Sequence, residues 1–124
     1  AVTVLTSVDA NALKNELSVS IPVEDHVIKL ATLTKQAGLD GVVASAREAQ
    51  LIRASLGPDF IIVTPGIRPA WASTDDQARI VTPSQAVKNG SDYLVVGRPI
   101  TGAENKKDAA ARVVEEMEEA LASS

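Results

Sequence analysis

The sequence of 124 residues has the length of one domain, and its 45% apolar and 23% charged residues are the composition of an ordinary globular protein. The net charge of −4 argues against general attraction to nucleic acid or an anionic membrane. The absence of cysteine excludes disulfides, thiolate metal sites and thiol nucleophiles. No apolar run approaches the roughly 20 residues that cross a bilayer, and the first residues lack the basic lead of a signal peptide. We therefore expect a cytoplasmic protein with no nucleic-acid or membrane partner.

Four segments are typical of strands, at residues 1–6, 40–45, 59–64 and 92–97. Three of them are almost continuously apolar, as expected for strands buried on both faces of a parallel sheet. Helical patterns with start and stop signals lie between them, over residues 23–37, from Ser45 to Gly57 and from Thr82 to Gly90, and a further helical pattern closes the chain. This alternation predicts an α/β fold in which crossover connections join four parallel strands.

Four strand–helix units are compatible with two architectures. They form either a small open sheet or half of a (β/α)8 barrel, which typically needs about 250 residues. The start of the sequence inside a strand favours a single half-barrel over residues 1–124. Segments 7–22 and 65–81 are long for βα loops, where roughly 2–6 residues is usual. Both follow the carboxyl end of a strand, which is where ligands bind in such folds.

Two of the predicted strands end in a turn that carries an arginine. One turn is TPGIRP, with Arg68, and the other is GRP, with Arg98. Gly97 lets a ligand approach the backbone because it has no Cβ, the Arg98 guanidinium matches phosphate oxygens, and Pro99 stiffens the chain. Either turn alone could equally be an ordinary turn with a solvated arginine. Two such turns on consecutive strands favour a phosphate site at this edge of the sheet.

Other candidate residues are weaker. His26 has no second histidine to share a metal, and Asp75 and Asp76 have no third ligand suggested nearby, so we predict surface roles for all three. Trp71 is either the anchor of a mobile lid or merely exposed, and both interpretations stay open. No Ser-His-Asp set, HExxH motif or P-loop occurs.

Five stretches together resemble the C-terminal half of the orotidine 5′-phosphate decarboxylases: AVTVLTS, GLDGVVASAREA, VTPGIRP, DQARIVTPSQA and DYLVVGRPIT. They occur in the family's order through essentially the whole chain. The resemblance implies the C-terminal half of a (β/α)8 barrel that assembles as a dimer. It also implies the conversion of orotidine 5′-monophosphate (OMP) to UMP and CO2 in de novo pyrimidine biosynthesis, with no cofactor or metal.

The resemblance also implies roles for residues at three strand ends. Thr6 would lie against the pyrimidine, and Pro65 and Gly66 would shape the loop that closes over the nucleotide. Thr6 is thus expected to contact the base, and Pro65 and Gly66 to enclose the nucleotide.

The phosphate end of the implied site has four residues. Arg68 and Gln77 fall on ligand-contacting positions of the long loop, and Gln77 would reach the phosphate. Gly97 would bind the phosphate by its backbone and Arg98 by its guanidinium. The family's catalytic Asp-x-Lys-x-x-Asp motif, by contrast, belongs to the N-terminal half, and no such string occurs in this sequence.

We therefore expect no catalytic residue in this chain and no activity from it alone. Its partners would be OMP or UMP, and either the missing N-terminal half or a second copy of the chain. Unpaired outer strands make a homo-oligomer the expected state of the isolated chain. Two alternatives stay open, a non-catalytic phosphate-binding half-barrel and another phosphate-handling barrel such as a hexulose-phosphate synthase.

Overall fold

The computed structural model describes residues 1–72 and 81–123. Within these ranges a parallel sheet packs against helices, so the fold is α/β as predicted. No helix of this part of the chain is both long and apolar enough to span a membrane. The elements in chain order are α1 (Ala10–Asn15), α2 (Val23–Gln36), β1 (Gly41–Val43), α3 (Ala46–Leu56), β2 (Ile61–Thr64), a 3-10 turn (Ala70–Ala72), α4 (Pro83–Lys88), β3 (Tyr93–Leu94), α5 (Arg98–Thr101) and α6 (Lys106–Ala122).

The sheet has the order β1–β2–β3, and both pairings are parallel. These strands fall within three of the four predicted segments but are shorter than predicted. The remaining predicted segment, residues 1–6 at the start of the sequence, forms one isolated parallel bridge, Val2 to Val43, instead of a strand. The Thr3 amide donates to the Val43 carbonyl (3.0 Å), but the chain then turns, with the Val8 amide bonded to the Leu5 carbonyl (2.9 Å). This turn ends the pairing before a regular strand develops.

One face of the sheet is buried against helices. Val42 of β1 and Ile62 of β2 are at most 2% exposed and pack in one core with α2 and α3. Burying side chains of this size stabilises a fold by roughly 1.5–3 kcal/mol each. The neighbouring side chains on the strands are exposed instead: Ile61 to 36%, Tyr93 to 62% and Val95 to 51%. The described part of the chain therefore leaves the opposite face of the sheet largely uncovered.

The predicted starts of α3 and α4 agree with the structure because both depend on local capping. The Ser45 hydroxyl accepts from the Arg47 amide (3.3 Å) at the start of α3. Thr82 and Gln85 form a reciprocal capping box at the start of α4, with Pro83 as its first helical residue. Each cap satisfies amides that the first turn of a helix leaves without a partner.

Two short helices were missed by the sequence analysis. The segment 7–22, predicted as a long loop, contains α1, whose start is capped by the Asp9 carboxylate through the Ala12 amide (2.8 Å). The turn predicted at GRP is the start of α5, with Gly97 as its N-cap and Pro99 in its first turn. Proline is tolerated there because the amides of a first turn have no helical partner.

Arg53 of α3 fixes the amino edge of the sheet. Its guanidinium donates to four backbone carbonyls and one carboxylate, those of Gly57, Pro58, Phe60, Gly90 and Asp92. The salt bridge to Asp92 is 2.6 Å long, and the same carboxylate oxygen accepts from the Ile62 amide at 2.8 Å. Since these partners immediately precede or begin β2 and β3, Arg53 holds the starts of two neighbouring strands together.

Candidate functional site

The candidate site lies at the opposite, carboxyl edge of the sheet. Because the strands are parallel, β1, β2 and β3 all end at this edge. The segments that follow β2 and β3 carry most of the residues expected to bind the substrate. Five of the expected residues line two cavities, with Arg68 and Arg98 in one and Thr6, Pro65 and Gly66 in the other.

The first cavity, which we call the arginine cavity, has a volume of about 560 Å³. Arg68, which follows β2, and Arg98, which follows β3, both line it. The structure therefore brings the two arginines together, from consecutive strands, at one edge of the sheet. The remaining lining residues are Trp71, Ala72, Pro99, Gly102 and Ala103.

Arg98 is an exposed residue at the start of α5. No residue within 1–72 or 81–123 accepts a hydrogen bond from its guanidinium, so this part of the chain leaves its five N–H donors to a ligand. The preceding Gly97 does not line the cavity. A Cβ added at Gly97 would meet no atom within 4 Å, so the backbone there is open to close approach.

Arg68 is half-buried and held at two points. Its backbone amide donates to the Val81 carbonyl (3.1 Å), next to the parallel bridge between Ile67 and Val81 that closes the base of the long loop. Its Nη1 donates to the Ala72 carbonyl at 2.8 Å. One carbonyl occupies only part of a guanidinium fork, so Arg68 keeps donors that could bind an anion.

Trp71 forms one wall of the arginine cavity and is 37% exposed. The Arg112 guanidinium of α6 lies over its ring, 4.1 Å from the ring centroid, in a cation–π contact. This contact attaches the turn Ala70–Ala72 to α6. Arg112 was not among the expected site residues, because nothing local in the sequence distinguishes it from other charged residues of that helix.

The second cavity, which we call the threonine cavity, has a volume of about 680 Å³. Thr6, Pro65 and Gly66 line it, together with Asp9, Ser45 and the first residues of α2 and α3. Thr6, expected at the pyrimidine, and the loop residues Pro65 and Gly66 thus line a different cavity from that of the two arginines. Gln77, expected at the phosphate, lies outside the described residues, as do Asp75 and Asp76.

Gly66 occupies a position that requires glycine. Its φ of +72° lies in the left-handed region, where a side chain is strained. This conformation lets the chain turn away from β2 between the threonine cavity and Arg68. The predicted role of Gly66 in shaping the loop therefore has a local conformational basis.

Glu48 in the first turn of α3 contributes an acidic group to the threonine cavity. Burial raises the pKa of its carboxyl above the usual range, and the nearby Glu24 carboxylate acts in the same direction. A hydrogen bond with Ser45 opposes the shift. In the part of the chain that the structure describes, no three His, Cys, Asp or Glu side chains are grouped to hold a metal ion.

Comparison with known proteins identifies relatives over nearly the whole chain. Residues 1–113 match the sequence model of the Orotidine 5'-phosphate decarboxylase / HUMPS family. The orotidine 5'-phosphate decarboxylase of Heliobacterium modesticaldum is 56% identical over 122 residues, covering 98% of this chain and 50% of the relative. That of Syntrophotalea carbinolica is 58% identical over 120 residues, covering 97% and 49%.

Solved structures agree with these matches. The crystal structure of orotidine 5'-phosphate decarboxylase from Lactobacillus acidophilus superimposes with a TM-score of 0.80 at 40% identity, covering 94% of this chain and 47% of that one. An uncharacterized conserved protein from Geobacillus kaustophilus gives a TM-score of 0.77, also at 40% identity, with 94% and 47% covered. The resemblance seen in the sequence motifs is confirmed, and the chain spans about half the length of the curated relatives it matches.

Proposed function

Because the chain belongs to the Orotidine 5'-phosphate decarboxylase / HUMPS family, we propose that it supplies the C-terminal, nucleotide-binding half of an enzyme that converts OMP to UMP and CO2. The observation that carries this proposal is the convergence of Arg68 and Arg98 on one cavity at the carboxyl edge of the sheet. Within residues 1–72 and 81–123 neither arginine has a carboxylate partner, and such a pair suits a dianionic phosphate, which accepts from both guanidinium groups.

The phosphate is assigned to the arginine cavity. Arg98 begins a short helix directly after the last strand, which is the usual position of the phosphate site in (β/α)8 barrels. The open backbone at Gly97 allows the phosphate to approach closely. Charge-assisted hydrogen bonds of this kind contribute roughly 1.5–3 kcal/mol each, so Arg98 is the main contact and Arg68 the second. Gln77 is proposed as an accessory phosphate contact from the same loop.

The pyrimidine is assigned to the threonine cavity. Thr6 and Pro65 line this cavity, and Gly66 turns the chain from it toward Arg68. A nucleotide bound across the edge of the sheet would place its base near Thr6 and its phosphate between the two arginines. In this arrangement, Pro65 and Gly66 enclose the nucleotide between its two ends.

The family and the exposed strand side chains support a half-barrel. Parallel sheets normally have both faces covered, whereas Ile61, Tyr93 and Val95 are exposed on this one. We propose that residues 1–6 act as a fourth strand when the N-terminal half pairs with them, and that the closed barrel buries the exposed face. The coverage of about half of each relative fits this arrangement, since a full barrel needs about 250 residues.

The two cavities offer binding groups but no lysine that could supply both the positive charge and the proton for the reaction. When CO2 leaves, an electron pair remains at C6 of the pyrimidine and must be stabilised by a positive charge and then protonated. Neither cavity is lined by a lysine, and arginine does not readily give up a proton. Phosphate binding can therefore organise the substrate, while the reacting groups come from the N-terminal half.

The test is reassembly. The chain is mixed with the N-terminal half of the Heliobacterium modesticaldum relative, and complex formation is checked by size-exclusion chromatography. Loss of OMP absorbance is then followed for each half alone and for the complex. We expect turnover by the complex only.

Two outcomes would overturn the proposal. Turnover by the chain alone would mean that the reacting groups have been misplaced. A complex that forms but neither binds UMP nor turns over OMP would exclude the decarboxylase assignment. UMP binding without turnover in the complex would instead favour the alternative of a non-catalytic phosphate-binding half-barrel.

A further inference from the structure

We infer that Arg112 is a positioning residue for the phosphate end of the site, acting through Trp71 on the guanidinium of Arg68. The inference rests on the proposed function, because it takes the ligand of the arginine cavity to be the phosphate of a nucleotide. It concerns a residue that does not itself line that cavity.

The contact chain has three steps. The Arg112 guanidinium lies 4.1 Å from the centroid of the Trp71 ring. Trp71 is the middle residue of the turn Ala70–Ala72. The carbonyl of Ala72, at the end of that turn, accepts from Nη1 of Arg68 at 2.8 Å. The orientation of the Arg68 guanidinium therefore depends on a turn that α6 holds through its arginine.

The two ends of this contact chain differ in rigidity. Arg112 is next to Val113, which is buried in the core at 4% exposure, so its backbone is firmly held. The α6 helix also contacts α4: the carboxylate of Glu116 in α6 accepts a hydrogen bond from the backbone amide of Ser84 in α4 at 3.4 Å. The turn is less deeply packed, since no residue of Ala70–Ala72 is buried. Arg112 thus links a rigid helix to an exposed turn.

This arrangement also separates the charges. Arg68 and Arg98 both line the cavity, and a third guanidinium directed into it would repel them in the absence of a ligand. The face of the Trp71 ring offers Arg112 a favourable site outside the cavity lining. The third arginine therefore contributes order rather than direct binding.

The test compares kinetic constants in the complex with the N-terminal half. For Arg112→Ala we expect KM for OMP to rise about 3- to 10-fold, with kcat within about twofold, because phosphate binding is weakened while the reacting groups are intact. Arg112→Lys should recover part of the loss, since an ammonium also binds an aromatic face. Lys107→Ala, which removes an exposed charge from the same helix, is the matched control and should leave both constants unchanged.

A double-mutant cycle tests whether Arg112 acts through Arg68. If it does, adding Arg112→Ala to Arg68→Ala should weaken UMP binding by less than about twofold more. Additive losses would mean that Arg112 acts by another route. An unchanged KM in Arg112→Ala would also overturn the inference.

Tryptophan fluorescence separates this inference from the proposed function. Trp71 is the single tryptophan of the chain. The complex is prepared with an N-terminal half whose tryptophans are replaced by phenylalanine, so that acrylamide quenching of the fluorescence reports only on Trp71 and its contact with Arg112. Quenching should increase in Arg112→Ala and remain as in wild type in Lys107→Ala. Unchanged quenching in Arg112→Ala, with wild-type UMP binding intact, would overturn the inference alone. A wild-type complex that binds no UMP would overturn the proposed function and with it the role of Arg112 at the phosphate.

Discussion

The two edges of the sheet use arginine in opposite ways. At the amino edge, the Arg53 guanidinium is surrounded by four carbonyls and the Asp92 carboxylate, and its side chain is 22% exposed. At the carboxyl edge, among the described residues, the Arg68 guanidinium has one carbonyl partner and the Arg98 guanidinium has none. The guanidinium thus has five acceptors within the fold at one edge, whereas at the other edge the described residues leave most of its donors to a ligand.

The difference shows how a structural cation can be distinguished from a binding one. A guanidinium has five donors in a fixed geometry. Where the protein binds the guanidinium through both Nη atoms, as at Arg53, removing the residue leaves acceptors without partners and should lower stability. Where the described residues leave the donors open, as at Arg98, removal should lower ligand affinity and leave stability almost unchanged.

The largest expected effect is that of Arg53→Ala. The loss of a charged donor to several partly buried acceptors should reduce the free energy of unfolding by about 2–3 kcal/mol, a figure that allows for solvent screening of the partly exposed salt bridge. Urea denaturation followed by circular dichroism measures it. Arg53→Lys should recover only a minor part, because one ammonium cannot reach all five acceptors. A loss below about 0.5 kcal/mol would contradict the structural role.

The next effect is on affinity. Arg98→Ala should weaken UMP binding to the reassembled protein about 10- to 100-fold, which corresponds to the loss of one charge-assisted contact. Its unfolding free energy should stay within about 0.5 kcal/mol of wild type. Arg98→Lys keeps the positive charge but not the two-pronged geometry of the guanidinium, so its affinity for UMP should lie between those of wild type and Arg98→Ala. Calorimetric titration with UMP measures the affinity, and equal values for wild type and Arg98→Ala would remove this residue from the site.

A matched pair of glycines offers a smaller test. Gly57 (φ +91°), which precedes β2, and Gly66 (φ +72°), which follows it, both have space for a Cβ, so alanine is opposed only by the backbone. Each alanine variant should lose about 1–2 kcal/mol of stability. Only Gly66→Ala should also weaken UMP binding at temperatures where both variants are folded. Equal effects on binding would mean that the two edges are not functionally distinct.

The smallest effect concerns Glu48 and pH. Because burial raises the pKa of this carboxyl in the folded state, folding favours its protonated form. Stability therefore falls as pH rises above the usual pKa range of glutamate and the carboxyl ionises. Glu48→Gln should therefore be slightly more stable than wild type near neutral pH. The two proteins should converge below about pH 4, where the glutamate is neutral in both states. Urea midpoints across this range test it, and a stability difference independent of pH would contradict the assignment.

The fold features that the sequence predicted are those set by neighbouring residues. The capping box of Thr82 and Gln85 and the glycine after α3 act within a few residues of where they occur, so the helix bounds could be predicted. A strand was also predicted over residues 1–6, but the structure has only a single bridge there. This outcome could not be predicted, because the pairing depends on residue 43 and on the turn after Thr3. The signal for α1 was present in Asp9, which caps it, but the apolar periodicity of six residues is too short to be distinctive.

Part of the arrangement at the candidate site could be predicted from the sequence. The glycine–arginine turns indicated that Arg68 and Arg98 would meet, and both line one cavity. The separation of Thr6 from the arginines, and the stacking of Arg112 on Trp71, depend on how distant segments pack. Neither leaves a local pattern in the sequence, and the same is true of the five partners of Arg53.

The uncovered face of the sheet has a thermodynamic consequence. If a second half closes over the exposed Ile61, Tyr93 and Val95, association removes apolar surface from water and should carry a negative heat-capacity change. The enthalpy of joining the halves should therefore become more negative as temperature rises. Cooling should weaken the hydrophobic part of the attraction, so the halves are expected to separate more readily in the cold.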